Sequence, residues 1–133
     1  METRSGRIRE VCRVLGEAGV NILELTVADT RQFDVLRLIV DNTELAVEEL
    51  KKHNFAATAA DIVIAGVQDR PGALADLLDV LAAAQVNIEY MHAFMGKADG
   101  MSRMIFRFEN TDEAVKVLQK ANVPIITSDN LKN

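Results

Sequence analysis

The second half of this chain repeats the first. Arg4-Ser5-Gly6-Arg7-Ile8 aligns with Arg70-Pro71-Gly72-Ala73-Leu74 at an offset of 66 residues, and the match continues through Val11/Leu77, Leu15/Leu81, Ala18/Ala84, Val20/Val86, Asn21/Asn87 and Ile22/Ile88. The offset then becomes 68, pairing Asn42/Asn110, Thr43/Thr111, Ala46/Ala114, Val47/Val115 and Leu50/Leu118. The two extra residues fall at Lys97-Ala98-Asp99-Gly100, which reads as a hairpin loop. Identity on both sides of an insertion confined to a turn marks a duplication, and a duplication constrains the fold more than any local propensity. The 133 residues therefore form two very small units rather than one ordinary domain, with expected boundaries at residues 1–60 and 61–133.

The second copy is the easier to read. Residues 62–67 are a short β-branched run and predict a strand. Asp69-Arg70-Pro71-Gly72 predicts a turn, with Pro71 suited to the first position of the helix that follows. Leu74, Leu77, Leu78 and Leu81 recur at helical spacing and mark one apolar face. Residues 85–94 and 101–109 predict two strands joined by a turn over residues 96–100. Thr111 suits a helix cap, ahead of a stripe of Ala114, Val115, Leu118 and Ala121. Pro124 leads into a final strand at residues 125–127.

The order β-α-β-β-α-β is the ferredoxin-like arrangement, an α+β fold with two helices on one face of an antiparallel sheet. Copy one gives helix 5–18, strand 20–28, strand 34–41, helix 43–53 and strand 55–60. It is N-terminally incomplete: Met1 matches Val67, the last residue of the second copy's first strand. That strand is central in such a sheet, and without it two strands keep unpaired backbone groups. The expectation is that residues upstream of Met1 complete the unit; the alternative is another segment or chain.

Certain functions are disfavoured directly. A net charge of −5 argues against nucleic-acid phosphates or an anionic membrane as the main partner. Cys12 is the single cysteine, so no intrachain disulfide forms and a reducing, cytoplasmic setting is expected. No apolar run is long enough to span a membrane. His53 and His92 lack the spacing of metal ligands. Neither a phosphate loop, a dinucleotide fingerprint nor a nucleophile–base constellation is present, so neither cofactor nor catalytic residue is expected. Cys12, beside Ile8, Val11 and Leu15, reads as a core residue. His92, near Tyr90 and Phe94, reads as packing. Phe106 and Phe108 alternate where RNA-recognition motifs place base-stacking aromatics, but their flanking pattern is absent and copy one carries Leu38 and Val40 there.

The turn Asp69-Arg70-Pro71-Gly72-Ala73-Leu74, followed by Ala84-Gln85-Val86-Asn87-Ile88, resembles the ACT domain signature. The same pattern recurs as Arg4-Ser5-Gly6-Arg7-Ile8 and Gly19-Val20-Asn21-Ile22. Two copies with almost nothing else are similar to stand-alone tandem ACT proteins of bacteria. Ser5 in place of proline and Gln85 in place of glycine depart from the pattern. The resemblance implies a non-enzymatic regulatory protein that binds a small molecule, commonly an amino acid, where two ACT units meet. It implies a ligand neighbourhood of Arg4, Ser5, Gly6, Arg7, Ile8, Asn21 and Ile22 in copy one, and of Asp69, Arg70, Pro71, Gly72, Ala73, Leu74, Asn87 and Ile88 in copy two. Local chemistry agrees with this. Glycine lets a ligand approach the backbone, and a helix N-terminus favours a carboxylate. Arginine adds a charge-assisted contact, and the Asn amide can meet an ammonium group.

Apolar residues on both faces of residues 36–40, 62–65 and 104–108 lead us to expect that the sheet face away from the helices packs against another subunit, giving a homodimer or higher oligomer. The alternative reading is a ligand-free regulatory subunit that docks on a metabolic enzyme.

Overall fold

β-branched and aromatic runs in each half build the sheets, and leucine–alanine stripes build the helices that cover them. In the computed structural model, residues 4–29, 34–98 and 101–127 are described. The chain divides into two compact units, one within residues 1–59 and the other spanning residues 60–131.

The first unit contains helix α1 (Arg4–Glu17), strands β1 (Ile22–Asp29) and β2 (Asp34–Val40), and helix α2 (Thr43–Lys52). β1 and β2 form a two-stranded antiparallel sheet. Val11 and Leu15 of α1 meet Ala46 and Leu50 of α2, with Val20 and Val40, in a small core.

The second unit contains β3 (Val63–Gln68), α3 (Ala73–Ala83), β4 (Ile88–Ala98), β5 (Met101–Phe108), α4 (Thr111–Lys120) and β6 (Ile125–Thr127). Its sheet runs β4-β5-β3-β6, with all neighbours antiparallel. This is the ferredoxin-like α+β arrangement, with the unit's first strand central as expected. Val63, Ala65 and Val67 of β3 and Phe106 and Phe108 of β5 face Leu77 and Leu81 of α3 and Ala114 and Leu118 of α4. The two phenylalanine rings stack at 5.2 Å and lie almost wholly buried in this helix-side core. They are thus on the wrong face for stacking nucleic-acid bases.

The other face of this sheet is not polar either. Ile64 pairs with Ile105, and both are as buried as the helix-side residues. The doubly apolar pattern of β3 and β5 thus records burial on both faces. His92 pairs with Ile105 on that same face and stacks on Tyr90 at 5.8 Å. Among the described residues its two ring nitrogens are buried without a hydrogen-bond partner, which fits packing at the cost of unsatisfied polar atoms.

Each helix described here ends in the same way. Gly19, Asn54, Gln85 and Asn122 adopt positive φ, at 78, 67, 58 and 60°. The next residue then returns its N–H to the carbonyl five positions back: Val20 to Leu15, Phe55 to Leu50, Val86 to Leu81 and Val123 to Leu118, at 2.9–3.0 Å. This is the Schellman termination, which satisfies carbonyls that the helix leaves open. Gln85 therefore keeps the backbone of its mate Gly19 and carries the strain of a side chain there. Strands begin three residues after these points, at Ile22 and Ile88, rather than at 20 and 85 as expected.

Several other expectations are corrected. Residues 55–60 form no strand; β6, the counterpart of residues 57–59, is paired with β3, and among the described residues the first unit offers no such partner. The cap of α4 is Asn110, whose side chain accepts from the Glu113 N–H at 3.1 Å, and Thr111 is the first helical residue. Asn42 does the same for α2 through the Leu45 N–H. β4 runs on to Ala98, through part of the expected turn; Asp99 and Gly100 lie outside the described residues. Cys12 is only half-buried and shares a shallow cleft with Arg9, Arg13, Gly16 and Glu17, because position 12 falls beside the core stripe rather than on it.

Candidate functional site

In the second unit β3 ends at Gln68, and residues 69–72 turn the chain into α3. Pro71 lies two residues before the helix, not at its first position. The cap is Gly72, at φ 86° and ψ −11°, and it supplies no side-chain hydrogen bond to the helix start. A proline disfavours helical geometry in the residue before it, which stops α3 from extending back through Arg70. The first N–H groups of a helix lack intrahelical partners; here the Ala73 N–H donates to the Arg70 carbonyl at 3.2 Å, and Gly72 has no side chain with which to cap the helix. A Cβ built on Gly72 would meet nothing within 4 Å, so the space in front of this backbone is open.

Arg70 is exposed but engaged. Its Nε donates to Gln68 Oε1 at 2.7 Å, its Nη2 to Asp76 Oδ2 at 3.0 Å and its Nη1 to the Pro71 carbonyl at 3.4 Å. Asp76 stands in the first turn of α3, where its charge is favourable to the helix dipole. An incoming carboxylate would compete with Asp76 both for Arg70 and for the helix end. Asp69 and Pro71 are exposed, whereas Ala73 and Leu74 pack in or against the core. The last two could offer a ligand their backbone far more readily than their side chains.

Asn87 precedes β4. Its Nδ2 donates to Glu109 Oε2 at 2.9 Å, and its carbonyl accepts from the Glu109 N–H at 3.1 Å. The first unit makes a related latch through the main chain of Asn21: its backbone N–H donates to Asp41 Oδ1 at 2.9 Å and its carbonyl accepts from the Asp41 N–H at 3.1 Å. Asp41 and Glu109 are repeat mates at the 68-residue offset. Ile22 and Ile88 pack against their cores.

A single unit does not bring the turn and the asparagine together. Gln68 pairs with Met101 at the start of β5, whereas Ile88 pairs with Phe108 at its end. At about 3.3 Å per residue, some 20 Å of sheet separates them. β3 and β4 run parallel, both being antiparallel to β5, so the end of one and the beginning of the other fall at opposite ends of the sheet.

The first unit departs further. Helix α1 starts at Arg4, so Ser5 and Gly6 are helical rather than a turn. Ser5 does not impose the restriction that Pro71 places on its predecessor, and the helix extends three residues further back than α3 does by repeat alignment. The guanidinium of Arg7 sits 4.9 Å from the centroid of the Phe55 ring, a cation–π contact. Arg7 and Ile8 line a groove of about 680 Å³ together with Val11, Leu38, Val40, Ala46 and Leu50. Most of these residues stood outside the sequence-derived site. The signal that points to them is that, among the described residues, the first unit has no counterpart of β3.

This chain belongs to the ACT domain pair family, whose match spans residues 1–133. ACT domains are regulatory modules that bind small molecules. The chain is similar to the crystal structure of protein BT0572 from Bacteroides thetaiotaomicron, at 33% identity and a TM-score of 0.87, over 100% of this chain and 91% of that one. It also aligns with aspartate kinase from Synechocystis, at 21% identity and a TM-score of 0.39, over 92% of this chain and 26% of the kinase. No curated protein matches it. Among the described residues no helix is long and apolar enough to cross a membrane, and no group of side chains has the composition of a metal site.

Proposed function

We propose that this protein is a non-enzymatic, cytoplasmic regulator that binds an amino acid between two ACT units, in one chain or in two copies of it. The observation that carries the reading is Gly72: a left-handed cap without a side chain, in open space, at the start of a helix. The turn at Asp69-Arg70-Pro71-Gly72 would receive the ligand carboxylate. The amide of Asn87 or Asn21 would come from a different unit, since the turn and the asparagine of one unit lie at opposite ends of its sheet. Because Ser5 and Gly6 are helical, the second unit's turn is the one expected to bind, and the two copies are not equivalent. Ligand binding would favour one arrangement of units by its difference in affinity between arrangements, and an oligomer interface or enzyme partner would read the change.

A second reading has its own support. Arg70 and Asn87 are both engaged by neighbours of their own unit, as expected of a ligand-free subunit that docks on an enzyme. A thermal-shift screen against the twenty amino acids separates the two. A ligand at about a hundred times its dissociation constant adds roughly 2.7 kcal/mol. A selective shift, lost in Gly72→Val, supports the sensor. The absence of any shift favours docking.

A further inference from the structure

Val63, Ala65 and Val67 of β3 point into the helix-side core, so Ile64 and Gly66 lie on the face of the sheet that the helices do not cover. The strand register carries this face sideways. Gly66 pairs with Arg103 of β5, and Ile64 pairs with Ile105 of β5 and Ile126 of β6. The Gly66 N–H donates to the carbonyl of Pro124, just before β6, at 2.8 Å. Gly66 is therefore a gap in a row of side chains, with Arg103 on one side and Pro124 on the other.

A pocket of about 210 Å³ opens at this gap, walled by Ile64, Met101, Arg103, Pro124 and Ile126, and every residue that lines it belongs to the second unit. A Cβ on Gly66 would come within 3.0 Å of Met101 Cε and 3.4 Å of Pro124 Cβ, so a side chain at this position would occupy the floor. Glycine inside a strand marks a close approach, and here it keeps the floor at the level of the backbone.

Apart from Arg103, the side chains of the lining are apolar. The Arg103 guanidinium is half-buried, and among the described residues it makes no hydrogen bond or ion pair. Arg107, two positions on and on the same face, does: its Nη1 donates to the Asp61 carbonyl at 3.0 Å, and its Nε lies 4.0 Å from Glu89 Oε1. One strand thus carries an arginine held by its own unit and another whose donors are open to whatever enters the pocket.

We propose that this pocket binds a small aliphatic carboxylate that carries no ammonium group. The carboxylate takes the Arg103 guanidinium in the paired geometry that the two groups favour, and the hydrocarbon body lies over Ile64, Met101, Pro124 and Ile126. An inorganic anion would meet the arginine but leave these apolar walls uncovered. The lining holds no aspartate or glutamate, so an ammonium group would enter among apolar side chains, beside a like charge and without a counter-ion. The volume is below the roughly 300–1,000 Å³ of pockets that take drug-sized ligands, which restricts the chain to a short one. The site is separate from the turn at Asp69-Arg70-Pro71-Gly72, and its assignment does not rest on an amino acid binding there.

Isocaproate, isocaproamide and leucine share one hydrocarbon chain and differ only in their charged groups. Each is titrated into the isotope-labelled full chain, with the backbone amides followed by NMR. Isocaproate should shift the amides of Gly66, Arg103 and Ile126 saturably. Isocaproamide, which lacks the charge, and leucine, which adds an ammonium group, should bind there about tenfold more weakly or worse. Arg103→Met keeps an apolar stem without the guanidinium and should lose isocaproate binding, with its circular dichroism and Tm retained. The three compounds are compared on the unaltered protein, so the outcome does not depend on the variant's folding. No saturable shift at these amides, equal binding there of isocaproamide or leucine, or undiminished binding to Arg103→Met would overturn the proposal. Isocaproate shifts confined to residues 69–73 would overturn it too, because they would place the carboxylate at the turn of the proposed amino-acid site.

Discussion

Replacing Gly72 with alanine isolates a single physical term. At φ 86° the backbone is left-handed, and a Cβ added there meets nothing within 4 Å. Steric overlap with neighbours therefore contributes nothing, and only the residue's own backbone preference is altered. Left-handed geometry costs an L-residue about 1–2 kcal/mol. Alanine returns about 0.4–1 kcal/mol by restricting the unfolded chain. The net loss should be about 1 kcal/mol, which in a domain of this size lowers Tm by about 4–8 °C. Urea and thermal unfolding of Gly72→Ala without ligand, with the m-value checked for constancy, would measure it. Gly72→Val should lose more than alanine does, because a β-branched side chain is strongly disfavoured at this φ even in open space. A loss above about 3 kcal/mol for alanine would mean that the Cβ does collide, beyond the usual backbone cost. An unchanged stability would mean that Gly72 is not held left-handed. Either result would remove the geometric basis for the proposed site.

Three further outcomes follow from the same structure. Gln85→Gly should stabilise the protein by about 1 kcal/mol, because it relieves a side chain held at φ 58° in a helix-terminating position; calorimetry should show the Tm rise, and a fall would contradict the Schellman assignment. Asp76→Asn should cost less than about 1 kcal/mol, since the Arg70–Asp76 pair is mostly exposed, yet it should tighten the binding of a carboxylate ligand by freeing Arg70; unchanged affinity in isothermal titration would exclude Arg70 from the site. Phe106→Ala should destabilise the second unit by about 3–5 kcal/mol, because Phe106 is fully buried against Phe108 and both helices; denaturant titration would detect it, and a loss under about 1 kcal/mol would refute the core assignment.

The repeat was legible in the residues themselves, and with it the order of elements in the second unit. The stripes Leu74-Leu77-Leu81 and Ala114-Leu118 repeat at helical spacing because one face of each helix is buried, and the turn at Pro71-Gly72 is written in two residues with few backbone options. Other features depended on partners far away in the chain. Residues 57–59 have the same place in the repeat as β6 but, among the described residues, no strand beside them, and a ladder cannot form on one side alone. Arg4 to Gly6 match the second unit's turn by position, yet become helix because serine lacks the restriction that proline imposes. The relation between Gly72 and Asn87 was also invisible: both belong to one signature, but the parallel course of β3 and β4 sets them at opposite ends of the sheet. Local pattern and side-chain volume are properties of neighbouring residues and can be read from sequence. Pairing of strands, and the distance between two loops, are set by the path of the chain in space, and only the tertiary structure decides them.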